Sequence, residues 1–270
     1  MTDTIRAHQR IPDSNVPGVS IVLKGALARP VEVYFPEQGR DVRSMDLLVH
    51  FHGSNYVAKH AAYHAKHSLI LAVVNLGSGS GVYENAFQDK ATFPSLIEAV
   101  RTSVSEKRSA ETEIPRLYLS SFSAGYGAVR AILKNHQSLS DGIILLDGLH
   151  TDYVPSRRVL AQGGKLNDEK LKDFVQYARL AAEGKKKLLI THSAIFPGTY
   201  ASTTETADYL IDALDLRRHP VLKWGPAGMQ LLSETKSKGL TVLACAGNTA
   251  PDHIDHLHGL PTFLKMILGK

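Results

Sequence analysis

Short apolar runs alternate along this chain with longer amphipathic stretches, and that alternation limits the folds open to it. The runs are Val19–Gly25, Arg29–Glu37, DLLVHFHG, LILAVVNLG, RLYLSS, GIILLDG, KKLLITHS and LTVLACAG. Several are apolar on both faces, the pattern of a central parallel strand covered by helices on each side. Helical patterns fill the gaps at Asn55–Ser68, Phe93–Lys107, Ala124–His136, Asn167–Gly184, Ser202–Asp215 and Pro261–Leu268. STTE at Ser202 has the form of a capping box. The expected fold is α/β: one doubly wound, mostly parallel eight-stranded sheet flanked by helices. It spans residues 1–270 as a single domain, with 151–187 as a small cap insertion near a site.

Composition narrows the function. The net charge of +5 is mild, and apart from Lys185–Lys187 the basic residues form no stripe of the kind nucleic acid requires. A single cysteine, Cys245, rules out a disulfide within the chain. No apolar leader or membrane-length segment is present. A soluble cytoplasmic protein is expected, with a small molecule rather than nucleic acid or membrane as partner; a homo-oligomer is compatible with this reading.

The stretch RLYLSSFSAGYG, Arg116–Gly127, hands a strand over to a helix through small residues. A serine held on such a tight bend needs small neighbours two positions before and after it, because strand and helix backbones approach closely there. Ser121 and Gly125 meet that need around Ser123, although glycine is usual at the first position. Gly125 and Gly127 are expected to hold the helix close to the sheet. A nucleophilic serine also needs oxyanion donors. The amide of Ala124 is one, and the loop VHFHGSN supplies the other through Ser54.

A base should follow late in the chain, where NTAPDHIDHLHG offers His253, His256 and His258. His253 is favoured because it comes first in a loop opened by Gly247 and Pro251; His256 is the alternative. The acid is expected at Asp147, which ends the run GIILLDG, with Glu205 as the alternative. His253 would then take the Ser123 proton as the hydroxyl attacks an acyl carbonyl, with Asp147 fixing the imidazole tautomer. The test of this reading is geometric: Ser123 Oγ should lie within hydrogen-bond reach of one late histidine.

Through the S-F-S-A-G turn, the H-F-H-G loop and the late histidines, the chain resembles the α/β-hydrolase superfamily, most of all its small serine esterases. It departs from that pattern at Ser121 and in having no carboxylate just after KKLLITHS. The resemblance implies a carboxylic ester hydrolase working through an acyl-enzyme and needing no cofactor or metal. A short acyl group on a polar substrate suits the candidate contacts His52, Asn55, Tyr83, His192 and Tyr200.

Two other readings compete. His50 and His52 form an H-x-H pair that would point the same way from a strand, as in metal-dependent hydrolases, and His60, His64 and His67 share a helical face. A non-catalytic binding protein of the same fold is the third reading. The Gly/Ser-rich loop after LILAVV lacks the Gly-Lys-Ser/Thr ending of a phosphate loop, which argues against nucleotide binding.

Overall fold

The computed structural model describes residues 7–37, 43–65 and 68–269. All eight apolar runs form strands: β1 (Val19–Leu23), β2 (Val31–Phe35), β3 (Asp46–Phe51), β4 (Leu69–Val74), β5 (Leu117–Phe122), β6 (Gly142–Leu146), β9 (Lys187–His192) and β12 (Leu240–Cys245). The sheet has ten strands rather than eight, because β10 (His219–Trp224) and β11 (Gln230–Ser237) extend it. A separate two-stranded hairpin joins β7 (Tyr153–Val154) to β8 (Lys165–Leu166).

The strand order is β1-β2-β4-β3-β5-β6-β9-β12-β11-β10. The strands from β4 to β12 in that order run parallel, while the outer strands on both sides pair antiparallel. The two strands missed by the apolar-run criterion lie at one edge. β10 is nearly all exposed and carries Pro220. β11 alternates buried and exposed residues, as an antiparallel outer strand wet on one face does.

Eight α-helices are assigned among the described residues: α1 (Asn55–His64), α2 (Ser80–Ala86), α3 (Thr92–Arg108), α4 (Tyr126–His136), α5 (Lys172–Ala182), α6 (Thr203–Ala213), α7 (Ala250–His258) and α8 (Leu260–Leu268). Side chains of the central strands alternate between two cores, as the two-residue period of a strand requires. Val49, Leu119, Ile143 and Leu145 join α3, α4 and α5 in one core. Leu48, Tyr118, Ile144 and Leu146 join α1 and α8 in the other. Both faces are therefore covered, which is why the central runs read apolar throughout.

Residues 151–187 divide physically. The β7–β8 hairpin and its flanks lie outside the main sheet, whereas Phe174, Tyr177, Ala178 and Ala181 of α5 belong to the first core.

Close packing at the end of β5 depends on missing side chains. A Cβ on Gly125 would sit 2.2 Å from the Phe51 carbonyl oxygen, so the glycine lets the turn press against β3. Gly127 has a different partner from the one expected. Its Cβ would meet the Ser80 carbonyl oxygen at 2.1 Å, so it brings α4 against α2, not against the sheet. Gly125→Ala should therefore destabilise the fold by about 1–3 kcal/mol, the usual cost of overpacking. A lowered urea midpoint at unchanged slope is the expected result; an unaltered midpoint would show that the turn can yield.

Candidate active site

Three adjacent strands, β3, β5 and β6, are each followed directly by a residue forced into the left-handed region. His52 has φ 69°, Ser123 φ 49° and Asp147 φ 42°. Such conformations cost about 1–3 kcal/mol in a residue other than glycine and persist only where packing imposes them. At Ser123 the imposing contacts are visible. Gly125 presses the turn against β3, and a Cβ on Gly148 would lie 2.4 Å from the Ser123 carbonyl oxygen. Ser123 itself is partly exposed at this edge.

Asp147 is buried and fully engaged. Its Oδ1 accepts from the Ser193 amide at 2.8 Å and from Thr203 Oγ1 at 2.7 Å; its Oδ2 lies 2.7 Å from His253 Nδ1. Burial alone would push this carboxyl up. Nearby His256 and His253 and the bonds from His253 and Thr203 outweigh it, and the carboxyl is held well below the usual carboxylate range. Asp147 therefore carries a negative charge, to which His253 donates from Nδ1. That leaves Nε2 as the nitrogen free to handle a proton.

His253 does not lie in a loop. Thr249 caps α7 through a capping box with Asp252, Pro251 occupies the first turn, and His253 follows it. The helix separates the three histidines. His253 is partly exposed and packs its ring on Phe122, centroids 4.6 Å apart, next to Ser123. His256 is buried with Nδ1 2.7 Å from Thr191 Oγ1, and His258 Nδ1 accepts from the Ile11 amide at 3.0 Å. The expected bond from Ser123 Oγ to a late histidine is not among the described hydrogen bonds; nucleophile–base contacts commonly tighten only with substrate bound.

Glu205 is committed elsewhere. It completes the capping box of Ser202 and accepts from Tyr153 Oη at 2.8 Å and 3.0 Å. The loop after β3 is fastened by Asn75, which accepts from the Gly53 amide at 3.0 Å and donates to the Gly53 carbonyl at 2.9 Å. Asn55 belongs to this fastening, donating to Glu32 and accepting from Asn75 at 2.6 Å, so its side chain is not a free substrate contact. Ser54 is exposed, and no acceptor among the described residues takes its amide.

His50 and His52 do not point the same way. His50 is fully buried with Nδ1 2.7 Å from Ser120 Oγ. The left-handed turn at His52 breaks the strand alternation and sends its Nδ1 to Tyr83 Oη at 2.9 Å. The paired-ligand premise of the metal reading is thus not met. Tyr83 is wholly buried beneath His52, and Tyr83 Oη also accepts from the Leu76 amide, so it supports the site without lining it. His192 is likewise buried, with Nε2 2.9 Å from Arg218 and Nδ1 3.0 Å from Thr204 Oγ1. The rings of His60 and His64 lie tilted against each other on α1 with centroids 4.1 Å apart, while His67 lies outside the described residues.

A pocket of 480 Å³ opens beside Ser123, lined by Ala124 and by Tyr200, the one expected contact found there. Its other walls were not anticipated: Ser80, Glu84, Tyr126, Arg130, His150, Asp152 and Lys170 among them. They come from four separate stretches of chain, and no local motif marks them. Glu84 and Arg130 pair at 3.1 Å, as do Asp152 and Lys170 at 2.5 Å.

No family model matches this sequence, and no curated protein is similar to it. Solved structures are. A feruloyl esterase module from Clostridium thermocellum, complexed with sinapinate, aligns with a TM-score of 0.52 at 13% identity, covering 95% of this chain and 94% of its own. A truncated carbohydrate esterase from gut microbiota aligns at 0.50 and 10% identity, covering 96% and 99%. An acylaminoacyl peptidase of Pyrococcus horikoshii aligns at 0.50 and 12% identity, covering 96% of this chain and 42% of its own. With the strand order and the turn at Ser123, these likenesses define the fold as that of the α/β-hydrolases. No helix among the described residues is long and apolar enough to cross a membrane.

The buried histidines make stability depend on pH. Burial, first of all, lowers His50 and His192 from 6.5 to about 4, so both are neutral when folded and bind protons more readily when unfolded. Their contribution is complete above about pH 6.5 and is lost as the pH falls toward 4, by up to about 3 kcal/mol for each ring. Urea midpoints should fall steadily across that window, and His192→Gln should flatten part of the slope. Midpoints constant down to about pH 4.5 would contradict this account.

Proposed function

We propose that the protein hydrolyses carboxylic esters through a serine nucleophile, with Ser123, His253 and Asp147 as the triad. His253 Nε2 takes the Ser123 proton as Oγ attacks the acyl carbon. The amides of Ala124 and Ser54 carry the developing oxyanion. Asp147 holds the Nδ1–H tautomer and stabilises the imidazolium. The leaving oxygen then receives the proton from His253, and water, activated by the same ring, releases the acyl group and restores Ser123. The observation that carries this reading is the 2.7 Å contact between His253 and the buried, ionised Asp147, on the strand edge that bears the strained Ser123.

The esterases among the structures of like fold support ester hydrolysis as the reaction class. The substrate is a small-molecule ester, polar to match the pocket walls, with an acyl group short enough to end inside 480 Å³. The chemistry needs no metal or cofactor. With Cys245 as the sole cysteine and no disulfide possible within the chain, a cytoplasmic location goes with this reading. A binding protein of the same fold is the competing reading, favoured by the missing Ser123–His253 bond.

Labelling by a fluorophosphonate separates the two. Wild type should be labelled and should turn over p-nitrophenyl esters, and Ser123→Ala should lose both. Asp147→Asn should lower kcat by about three to four orders of magnitude, since the imidazole loses its preferred tautomer. Folded wild type that is neither labelled nor active would sink the catalytic reading.

A further inference from the structure

The leaving oxygen of an ester must come within reach of the base that protonates it. His253 is absent from the wall of the 480 Å³ pocket, whereas Ser123 and Ala124 are part of it. A group bound there is joined to the reacting carbon on the side away from the leaving oxygen, which makes it the acyl group.

The charges in this wall cancel. Glu84 is paired with Arg130 and Asp152 with Lys170, so the pocket offers no net charge to an ionised acyl group. Several hydroxyls are also engaged: Tyr126 Oη donates to Ser80 Oγ at 3.2 Å, and Thr151 Oγ1 donates to the Asn167 carbonyl at 2.8 Å.

His150 is different. Its Nδ1 faces the Ala201 carbonyl at 2.8 Å. A carbonyl only accepts, so Nδ1 carries the hydrogen and Nε2 of the neutral ring is left with a lone pair. Burial, more than any neighbour, holds His150 below the ordinary histidine value, which keeps the ring neutral near pH 7. Its place is also fixed. Arg130 donates to the His150 carbonyl at 2.5 Å, and the ring stands edge-on to Tyr126 and Tyr200, with centroids 5.5 Å and 5.0 Å away.

We propose that the pocket beside Ser123 receives the acyl group of the ester and that His150 selects for a neutral acyl group bearing a hydroxyl, alcoholic or phenolic, whose hydrogen bond Nε2 accepts. His150 is then a specificity residue, and the proposal rests on the serine-hydrolase reading above. Tyr126 and Tyr200 give the same pocket aromatic walls, against which a flat or short carbon frame can pack while its hydroxyl meets His150.

The test compares matched p-nitrophenyl esters on the full chain: 3-hydroxybutyrate with butyrate, and 3-(4-hydroxyphenyl)propanoate with 3-phenylpropanoate. A third pair carries the hydroxyl on the alcohol side instead, glycerol butyrate against propyl butyrate. For at least one acyl pair, wild type should prefer the hydroxylated ester in kcat/KM by about 3- to 10-fold, the range of one neutral hydrogen bond. His150→Phe should abolish that ratio, and His150→Gln, which keeps an acceptor, should restore part of it; circular dichroism melts establish that both variants are folded. A ratio near one in wild type, a ratio that survives His150→Phe, or a preference confined to the alcohol-side pair would each overturn the proposal. Loss of turnover on every ester, with no fluorophosphonate labelling, would instead mark failure of the serine-hydrolase reading.

Discussion

One buried carboxylate draws the candidate site together. Asp147 follows β6, yet it holds the amide just beyond β9, the first residue of α6 and the first turn of α7. A carboxylate so placed would resist ionisation if it lacked partners, because burial favours the neutral form. Nearby His256 and His253, with the bonds from His253 and Thr203, reverse that preference. The charge then orients His253, and Gly148 beside it gives the Ser123 backbone room to turn. Replacing any of these partners disturbs the others, since they share one acceptor.

Strain and close packing support each other around this anchor. Left-handed residues at His52, Ser123 and Asp147 are each unfavourable alone. They coexist because strands β3, β5 and β6 are neighbours in a sheet covered on both faces, and because Gly125 and Gly148 remove the side chains that would keep the turns apart. Tyr83 and Asn75 work on the other side of the site, securing the loop at His52 and Gly53. Residues that looked like substrate contacts thus serve as its scaffold. Polar side chains near a strand end have two uses, and only burial tells them apart.

The late histidines illustrate how far local pattern reaches. Sequence favours His253 as the base on the expectation of a loop, but the segment is a helix capped by Thr249 and Asp252. The choice among His253, His256 and His258 is a matter of helix rotation: one faces Asp147, one Thr191 and one the backbone of Ile11. A spacing of three residues sets His253 and His256 side by side on the helix and a spacing of five turns His258 away, but which ring meets the sheet edge depends on how α7 docks.

Sequence alone determined the layered α/β fold, since apolar runs of strand length between amphipathic segments can bury both faces only in that way. It also marked the turn at Ser123, because small residues at fixed spacing answer a local steric demand, and it marked Asp147 at the end of an apolar run. The edge strands β10 and β11 escaped because partial exposure gives them no continuous apolar signal. The pocket walls escaped for another reason. Ser80, Arg130, His150 and Tyr200 are far apart along the chain and meet only when α2, α4 and the segments after β6 and β9 pack above one strand edge. Chemistry set by neighbouring residues can be read from a sequence; a cavity formed by distant ones exists only once the chain has folded.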